Sequence, residues 1–253
     1  MECPQILTVQ VEGRVMAIDL GAINTAACVD DKGQSVLYSG RGLLAIQHYF
    51  NKQLSKVQHR LNVRGRKASP GLRALYRKRN RQLSANLHKI SKHIVATCVT
   101  QQITTIVVGN LRHLRKKMQF NKKANLKTHA WAFAKFTAQL RYKARRHGIR
   151  VVTISEKDTS KTCSHCGQVR KQNRVERGLY QCQACGRTMN ADLNGATNLL
   201  NKYLQSQGVP GKVVLAPLAV PVVRMVEKPK GDEPISERPP TAILPVMVES
   251  PIL

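Results

Sequence analysis

Four cysteines carry the sharpest chemical signal in this sequence. Cys163-Ser164-His165-Cys166 and Cys182-Gln183-Ala184-Cys185 make the pattern C-x2-C-x15-C-x2-C, and each pair is followed by a glycine, Gly167 and Gly186. Two cysteines separated by two residues can turn both sulfurs toward one ion, the glycine permits the tight knuckle, and four thiolates close a tetrahedral shell. A closed four-thiolate site is structural rather than catalytic, and Zn2+ is its expected occupant, with iron the minor competitor. Disulfides are the rival use of these cysteines and fit poorly with the cytosolic setting read below. His165, between the first two ligands, reads as a bystander or a phosphate contact. Cys3, Cys28 and Cys98 are scattered and read as small apolar residues.

Carboxylates are the second signal, because they are scarce. The chain has 14 Asp+Glu against 42 Lys+Arg, a formal net charge of +28, and from Lys32 to Ser155 it has 28 bases and no acid. Asp19 nevertheless ends an apolar run, Ala17-Ile18-Asp19-Leu20-Gly21. Burying a charge beside a core strand is unfavourable unless it is paired or holds a metal. Asp192, in Asn190-Ala191-Asp192-Leu193-Asn194-Gly195, opens a helix. Each has an ordinary alternative, a turn acid for Asp19 and a first-turn acid for Asp192.

A domain with this much unbalanced positive charge repels itself, and a polyanion that releases its condensed counterions is the partner that fits. The expected phosphate contacts are Arg64, Arg66 and Lys67, then Arg77, Lys78 and Arg79. Further contacts are Arg115, Lys116, Lys117, Lys122 and Lys123 in the loop Arg112–Lys127, and Lys161 and Arg174 around the cysteine knuckles. No apolar run approaches the roughly 18 residues of a membrane helix, and Met1–Arg14 lacks a basic region leading into an apolar one. The reading is a cytoplasmic protein with no membrane partner. Nothing in the pattern sets its oligomeric state.

The elements that must position these residues follow from periodicity. Arg14–Asp19, Thr25–Val29 and Ser35–Tyr38 read as three sequential antiparallel strands. Leu43–Leu61 and Leu72–Gln101 space apolar residues as helices on either side of a Gly/Ser/Pro break, Arg64–Gly71. Thr104–Val108 and Ile149–Ile154 read as buried strands around a helix over Ala130–His147, with Trp131, Phe133 and Phe136 as core residues. A last helix covers Ala191–Leu204. The order βββ-α-β-α-β is an α/β pattern with a mixed sheet. Gln205–Leu253 holds nine of the eleven prolines and reads as disordered or extended, with a short strand around Val213–Val226.

Taken in order, Ala17-Ile18-Asp19-Leu20-Gly21, TTIVVGNL at Thr104–Leu111, YKARRHGIRVV at Tyr142–Val152, the Thr159–Gly167 segment and NADLNGATNLL at Asn190–Leu200 form a recognisable set. They resemble the C-terminal half of the OrfB/TnpB transposon-encoded proteins, relatives of the type V CRISPR effectors. The resemblance spans Val15–Leu204. It implies an RNase H-like (RuvC-type) mixed sheet with helices and an inserted zinc ribbon. The chain then divides into a nuclease core with a basic helical insertion over 1–158, the ribbon over 159–188, a last core segment over 189–204 and the tail over 205–253. It also implies a prokaryotic, nucleoid-associated nuclease whose partners are DNA and a guide-like RNA. Sites of this type gather carboxylates around Mg2+ or Mn2+, one ion activating water and the other stabilising the leaving 3′-oxygen. On the matching motifs Asp19 is the first acid and Asp192 the last.

The middle acid departs from the family's commonest pattern. That pattern has Glu directly after the strand ending at Val108, where this sequence has Gly109 and then Asn110. Glu156, at the end of the next strand, is the expected replacement, with Asp158 the lesser candidate; the plain alternative is a surface pair of Glu156 with Lys157 or Lys161. Only about fourteen residues precede the first strand, where family members carry a wedge and recognition region. The expectation is a shortened copy with no readers of a target-adjacent motif. Two functions stay open: a divalent-metal-dependent endodeoxyribonuclease with Asp19, Glu156 and Asp192 as its acids, or a nuclease-dead protein or truncated remnant that binds RNA or DNA without cleaving. A ribosomal or RNA-processing zinc-ribbon protein would leave Asp19 and Asp192 unexplained.

Overall fold

Val15 and Ala17 of the first strand face one way, Met16 and Ile18 face the other, and all four are buried. A strand apolar on both faces belongs inside a sheet covered on both sides, and this placement organises the chain. The computed structural model describes residues 13–110, 130–176, 178–209, 213 and 222–223. Strand β1 (Arg14–Asp19) pairs antiparallel with β2 (Asn24–Asp30), which pairs antiparallel with β3 (Ser35–Ser39). Helices α1 (Arg41–Val63) and α2 (Pro70–Thr100) follow, and β4 (Ile103–Gly109) then inserts parallel to β1 on its free side. Helix α3 (Ala130–Arg145) leads to β5 (Arg150–Ile154), parallel to β4.

The remaining elements are small except one. Strands β6 (Leu179–Gln181) and β7 (Thr188–Asn190) form a separate antiparallel hairpin, α4 (Ala191–Ser206) follows, and β8 (Val222–Val223) lies parallel to Leu37–Tyr38 of β3. The main sheet has the order β5-β4-β1-β2-β3-β8. This is the mixed α/β arrangement that the strand and helix periodicities predict.

Leu87, Ile90, Ile94 and Cys98 of α2, with Phe136 and Leu140 of α3, pack on Met16, Ile18, Cys28, Ile106 and Val108. On the opposite face Leu193, Ala196, Leu199, Leu200 and Tyr203 of α4 pack on Val15, Ala17, Ala27 and Val107. Each fully buried leucine contributes about 1.5–3 kcal/mol, so the apolar side of α4 fixes it firmly over the sheet. Phe136 and both core thiols are buried as predicted, and Phe133 is half-buried against the same cluster. The basic break becomes the α1–α2 turn. Gly65 takes φ +62° after α1, and Ser69 caps α2 by accepting from the Leu72 N–H at 3.1 Å, with Pro70 at the first helical position.

Helix α4 continues beyond Leu204 to Ser206, and Val209 and Val213 join its core, so packing reaches further than the sequence pattern indicates. The only part of the predicted strand at Val213–Val226 found among the described residues is the two-residue β8. Cys3, the loop Arg112–Lys127, the side chain of Trp131 and most of the proline-rich tail lie outside the described residues. Among the described residues no helix is long and apolar enough to cross a membrane.

Candidate active site

Three parallel neighbours, β1, β4 and β5, end side by side. Ile18 is opposite Val108, Val108 opposite Thr153, and Gly109 opposite Ile154. The row that faces α4 runs through Ala17, Val107, Val152 and Ile154, and the two-residue period of a strand continues it to Asp19, Gly109 and Glu156. Helix α4 lies over this row and carries Asp192 in its first turn. Separate segments thus bring Asp19, Glu156 and Asp192 to the carboxyl edge of the sheet, where open α/β sheets place their sites.

Two glycines make the approach possible. A β-carbon on Gly109 would stand 2.5 Å from both Cγ and Cδ of Glu156, and would collide with its Oε1. The carboxyl of Glu156 therefore occupies the space a side chain at position 109 would need. Gly195, three residues after Asp192, does the same for Asp19: a β-carbon there would lie 2.7 Å from Asp19 Oδ2.

The electrostatics follow from crowding. Burial, then the charges of Glu156 and Asp192, hold the Asp19 carboxyl well above its ordinary range, while Arg174 and the Leu20 N–H act the other way. Burial pushes Glu156 up to about 7, and its Oε1 is buried without a hydrogen-bond partner. Asp192 is better satisfied. Its Oδ2 accepts from Asn24 Nδ2 at 2.9 Å, and its Oδ1 lies 3.5 Å from the guanidinium of Arg174. Carboxylates from three elements, one of them with an orphaned buried oxygen, are the hard oxygen donors that Mg2+ or Mn2+ prefers, and the residues fit such an ion. Their oxygens are not drawn into one tight cluster, since among the described residues only the four cysteines have ligand atoms all within 4.8 Å of one another.

The cysteine knuckles close as their spacing predicts. Gly167 and Gly186 take φ +82° and +68°, and their N–H groups donate to the carbonyls of Cys163 and Cys182, each at 2.9 Å. Cys163 Sγ lies 3.9 Å from Cys185 Sγ, and Cys166 Sγ 3.5 Å from Cys182 Sγ. Four sulfurs about 2.3 Å from a tetrahedral ion stand about 3.8 Å apart, so the donor set fits one thiolate-bound metal. Tyr180, Met189 and Ala191 pack beneath Cys163 and Cys182. Asn173, fully buried, donates to Tyr180 Oη at 3.2 Å and accepts from the Gln183 N–H at 3.3 Å.

Several further residues build the site, three of them inside the Asn190–Leu200 motif. Asn24 holds Asp192, and Asn190 caps α4 by accepting from the N–H groups of Asp192 and Leu193 at 2.9 and 3.2 Å. Asn194 and Asn198 continue the stripe at four-residue spacing and are buried. That spacing of one polar type along an otherwise apolar helix face is the signal that marks them. Of the predicted phosphate contacts, Arg64, Arg66, Lys67, Arg77, Lys78, Lys161 and Arg174 are exposed. Lys161 pairs with Asp158 at 3.3 Å, and Arg79 is half-buried with its guanidinium over the Tyr76 ring. Among the described residues no ion pair involves a base of α1 or α2. Arg115, Lys116, Lys117, Lys122 and Lys123 lie outside the described residues.

Two family models match this chain, one described as a probable transposase (OrfB_IS605) over residues 1–115 and one as the Cas12f1-like TNB domain over residues 133–199. The TnpB-like protein ORF457 of Acidianus two-tailed virus is 29% identical over 214 residues, which cover 81% of this chain and 45% of the viral protein. Over most of its length the chain is similar to OrfB/TnpB proteins. A second relative, the putative RNA-guided DNA endonuclease InsQ of Escherichia coli (strain K12), is 31% identical over 168 residues, 59% of this chain and 40% of InsQ. The chain thus spans less than half the length of either relative. Its fold is shared with the protein in a cryo-EM structure of a Cas12f1-sgRNA-target DNA complex, at a TM-score of 0.58 and 20% identity, over 76% of this chain and 50% of that one.

Proposed function

We propose that this chain carries a divalent-metal-dependent endodeoxyribonuclease centre, with Asp19, Glu156 and Asp192 as its acids. The observation that carries the reading is the exchange at Gly109: the position usual for the middle acid is empty of side chain, and the carboxyl of Glu156 stands in that space. Asp19 feels the charge of both other acids, so the three can act on one centre. When bound, Mg2+ or Mn2+ supplies Lewis acidity that activates water and stabilises a leaving 3′-oxygen. The chain's own residues supply the cradle. Asn24 orients Asp192, Gly195 lets α4 approach Asp19, and exposed Arg174 beside Asp192 is placed to meet a phosphate.

The four cysteines hold a structural Zn2+, which makes 159–188 a zinc ribbon between the nuclease core of 1–158 and its last segment, 189–204. The bases of α1, α2 and their turn, unpaired with any acid among the described residues, take nucleic acid. RNA and DNA are the partners, as the names of InsQ and the Cas12f1 complex state for those proteins. The test is Mg2+- or Mn2+-dependent cleavage of single-stranded and duplex DNA by the protein with its copurified RNA, comparing wild type with Asp19→Ala and Glu156→Gln. Loss of cleavage in both variants is expected. Activity surviving Glu156→Gln removes Glu156 from the centre. Tight nucleic-acid binding with no wild-type cleavage replaces the nuclease with a binding protein.

A further inference from the structure

The segment from Glu156 to Ser164 joins the middle acid of the proposed centre to Cys163, the first of the four thiolates. Its backbone is held at nearly every carbonyl. Glu156 O accepts from the Thr159 N–H at 3.2 Å and from Thr159 Oγ1 at 2.9 Å. Lys157 O accepts from Lys202 Nζ, and Asp158 O accepts from the N–H groups of Lys161 and Thr162 and from Thr162 Oγ1. Lys161 O accepts from Tyr180 Oη at 3.0 Å. Asp158 sits at φ +63°, a left-handed conformation that aspartate adopts more readily than most non-glycine residues and that turns the chain here.

Two buried asparagines of α4 supply the decisive contacts. Asn198 Nδ2 donates to Thr159 O at 2.8 Å and to Thr162 O at 2.7 Å, bridging the turn. Asn194 Nδ2 donates to Thr162 O at 2.8 Å, and its Oδ1 accepts from the Ser164 N–H at 2.9 Å. The same helix carries Asp192, and its Gly195 abuts Asp19. Packing alone does not call for these amides. A buried hydrogen-bonded pair contributes little net stability over an apolar replacement of both partners, whereas it fixes geometry.

Resting on the reading of Asp19, Glu156 and Asp192 as one metal centre, we infer that Asn194 and Asn198 are positioning residues that set Glu156 against the other two acids. Through them the cysteine ribbon and the carboxylate centre share one rigid mount: Thr162 and Ser164, which flank the ligand Cys163, are clamped to the helix that presents Asp192. Disturbing the clamp therefore changes how the carboxylates hold a divalent ion, without touching any ligand.

The test is Mn2+ binding to the full chain, followed by the electron paramagnetic resonance signal of free Mn2+, in wild type, Asn194→Ala, Asn198→Ala and Glu156→Gln. Zinc content is measured on each sample. Outer contacts of metal ligands typically control 10- to 100-fold in affinity, so Asn198→Ala is expected to weaken Mn2+ binding at least about tenfold while zinc content stays at the wild-type level. If Asn198→Ala does not fold, Asn198→Leu, near-isosteric and without the amide, serves in its place. Mn2+ affinity at the wild-type level in the asparagine variants, with Glu156→Gln weakened, overturns the positioning role alone. Affinity undiminished in Glu156→Gln overturns the metal centre on which the inference rests.

Discussion

Replacing Gly109 by alanine adds one methyl group at the point where Glu156 enters the site. Gly109 lies in β4 and is not among the positive-φ residues, so alanine costs nothing in backbone conformation. Its β-carbon would stand 2.5 Å from Cγ and Cδ of Glu156, whereas carbon atoms rest at about 3.5–4.0 Å. The Glu156 side chain must therefore withdraw by at least about 1 Å. A misplacement of that size costs about 10²-fold in rate, or about 2.7 kcal/mol of transition-state stabilisation. The displaced group is a flexible side chain rather than backbone, so the fold should absorb the change. The assay is Mn2+-dependent DNA cleavage, run beside zinc content and thermal melting. We expect cleavage to fall about 100-fold with zinc content unchanged. The double change Gly109→Glu with Glu156→Ala moves the acid onto β4 and should recover most of the loss. Wild-type cleavage by Gly109→Ala would refute the idea that this glycine exists to admit Glu156.

Three other outcomes follow from the same structure. The ribbon should hold a single zinc ion per chain, and Cys182→Ser should abolish it and speed amide exchange in β6 and β7, which mass spectrometry reads directly. Neutralising Arg77 and Lys78 together, both exposed on α2, should lower the slope of log affinity against log salt by about 2 for DNA or RNA; a salt-insensitive affinity contradicts the phosphate contacts. Burial lifts Glu156 from 4.5 to about 7, so between those values the folded chain keeps a proton that the unfolded chain releases. Without Mg2+ or Mn2+, wild-type stability relative to Glu156→Gln should therefore fall as pH rises through that window, by at most about 3 kcal/mol. Urea titrations at pH 5 and pH 8 check the sign.

The parts of the molecule legible in the sequence are those with a local pattern. Val15–Ile18 reads as a strand because both faces must be apolar, and the α1–α2 break reads as a turn because Gly65 and Pro70 punctuate it. The cysteine knuckles are legible because two ligands three positions apart and a following glycine are a local requirement of the metal. Gly195, Asn194 and Asn198 lie in the Asn190–Leu200 motif, but the motif does not tell their roles. What makes them important is the approach of Asp19 and of the Thr159–Ser164 backbone, both distant in sequence, and a hydrogen bond to a carbonyl asks nothing of the residue that owns the carbonyl. Asp30 and Asp31 show the same limit. Nothing local in the sequence pairs them with Arg14, which engages both at the far end of β1.

The sorting of the acids explains how a chain of such positive charge keeps a carboxylate centre. Asp30 and Asp31 pair with Arg14, and Asp158 pairs with Lys161. Asp19, Glu156 and Asp192 gather instead where, among the described residues, Arg174 is the base that pairs with them. Two of the three are held above their ordinary range by burial, a state that raises the free energy of the metal-free corner and makes a divalent cation its natural complement. What such a cation needs is carboxyl oxygens at one place, not an acid at one position of the chain. Parallel β4 and β5 end in adjacent rows, so a Glu two residues beyond Ile154 reaches the place that a side chain at position 109 would fill. The exchange requires both changes together: glycine on β4 without Glu156 empties the corner, and Glu156 without the glycine is shut out of it.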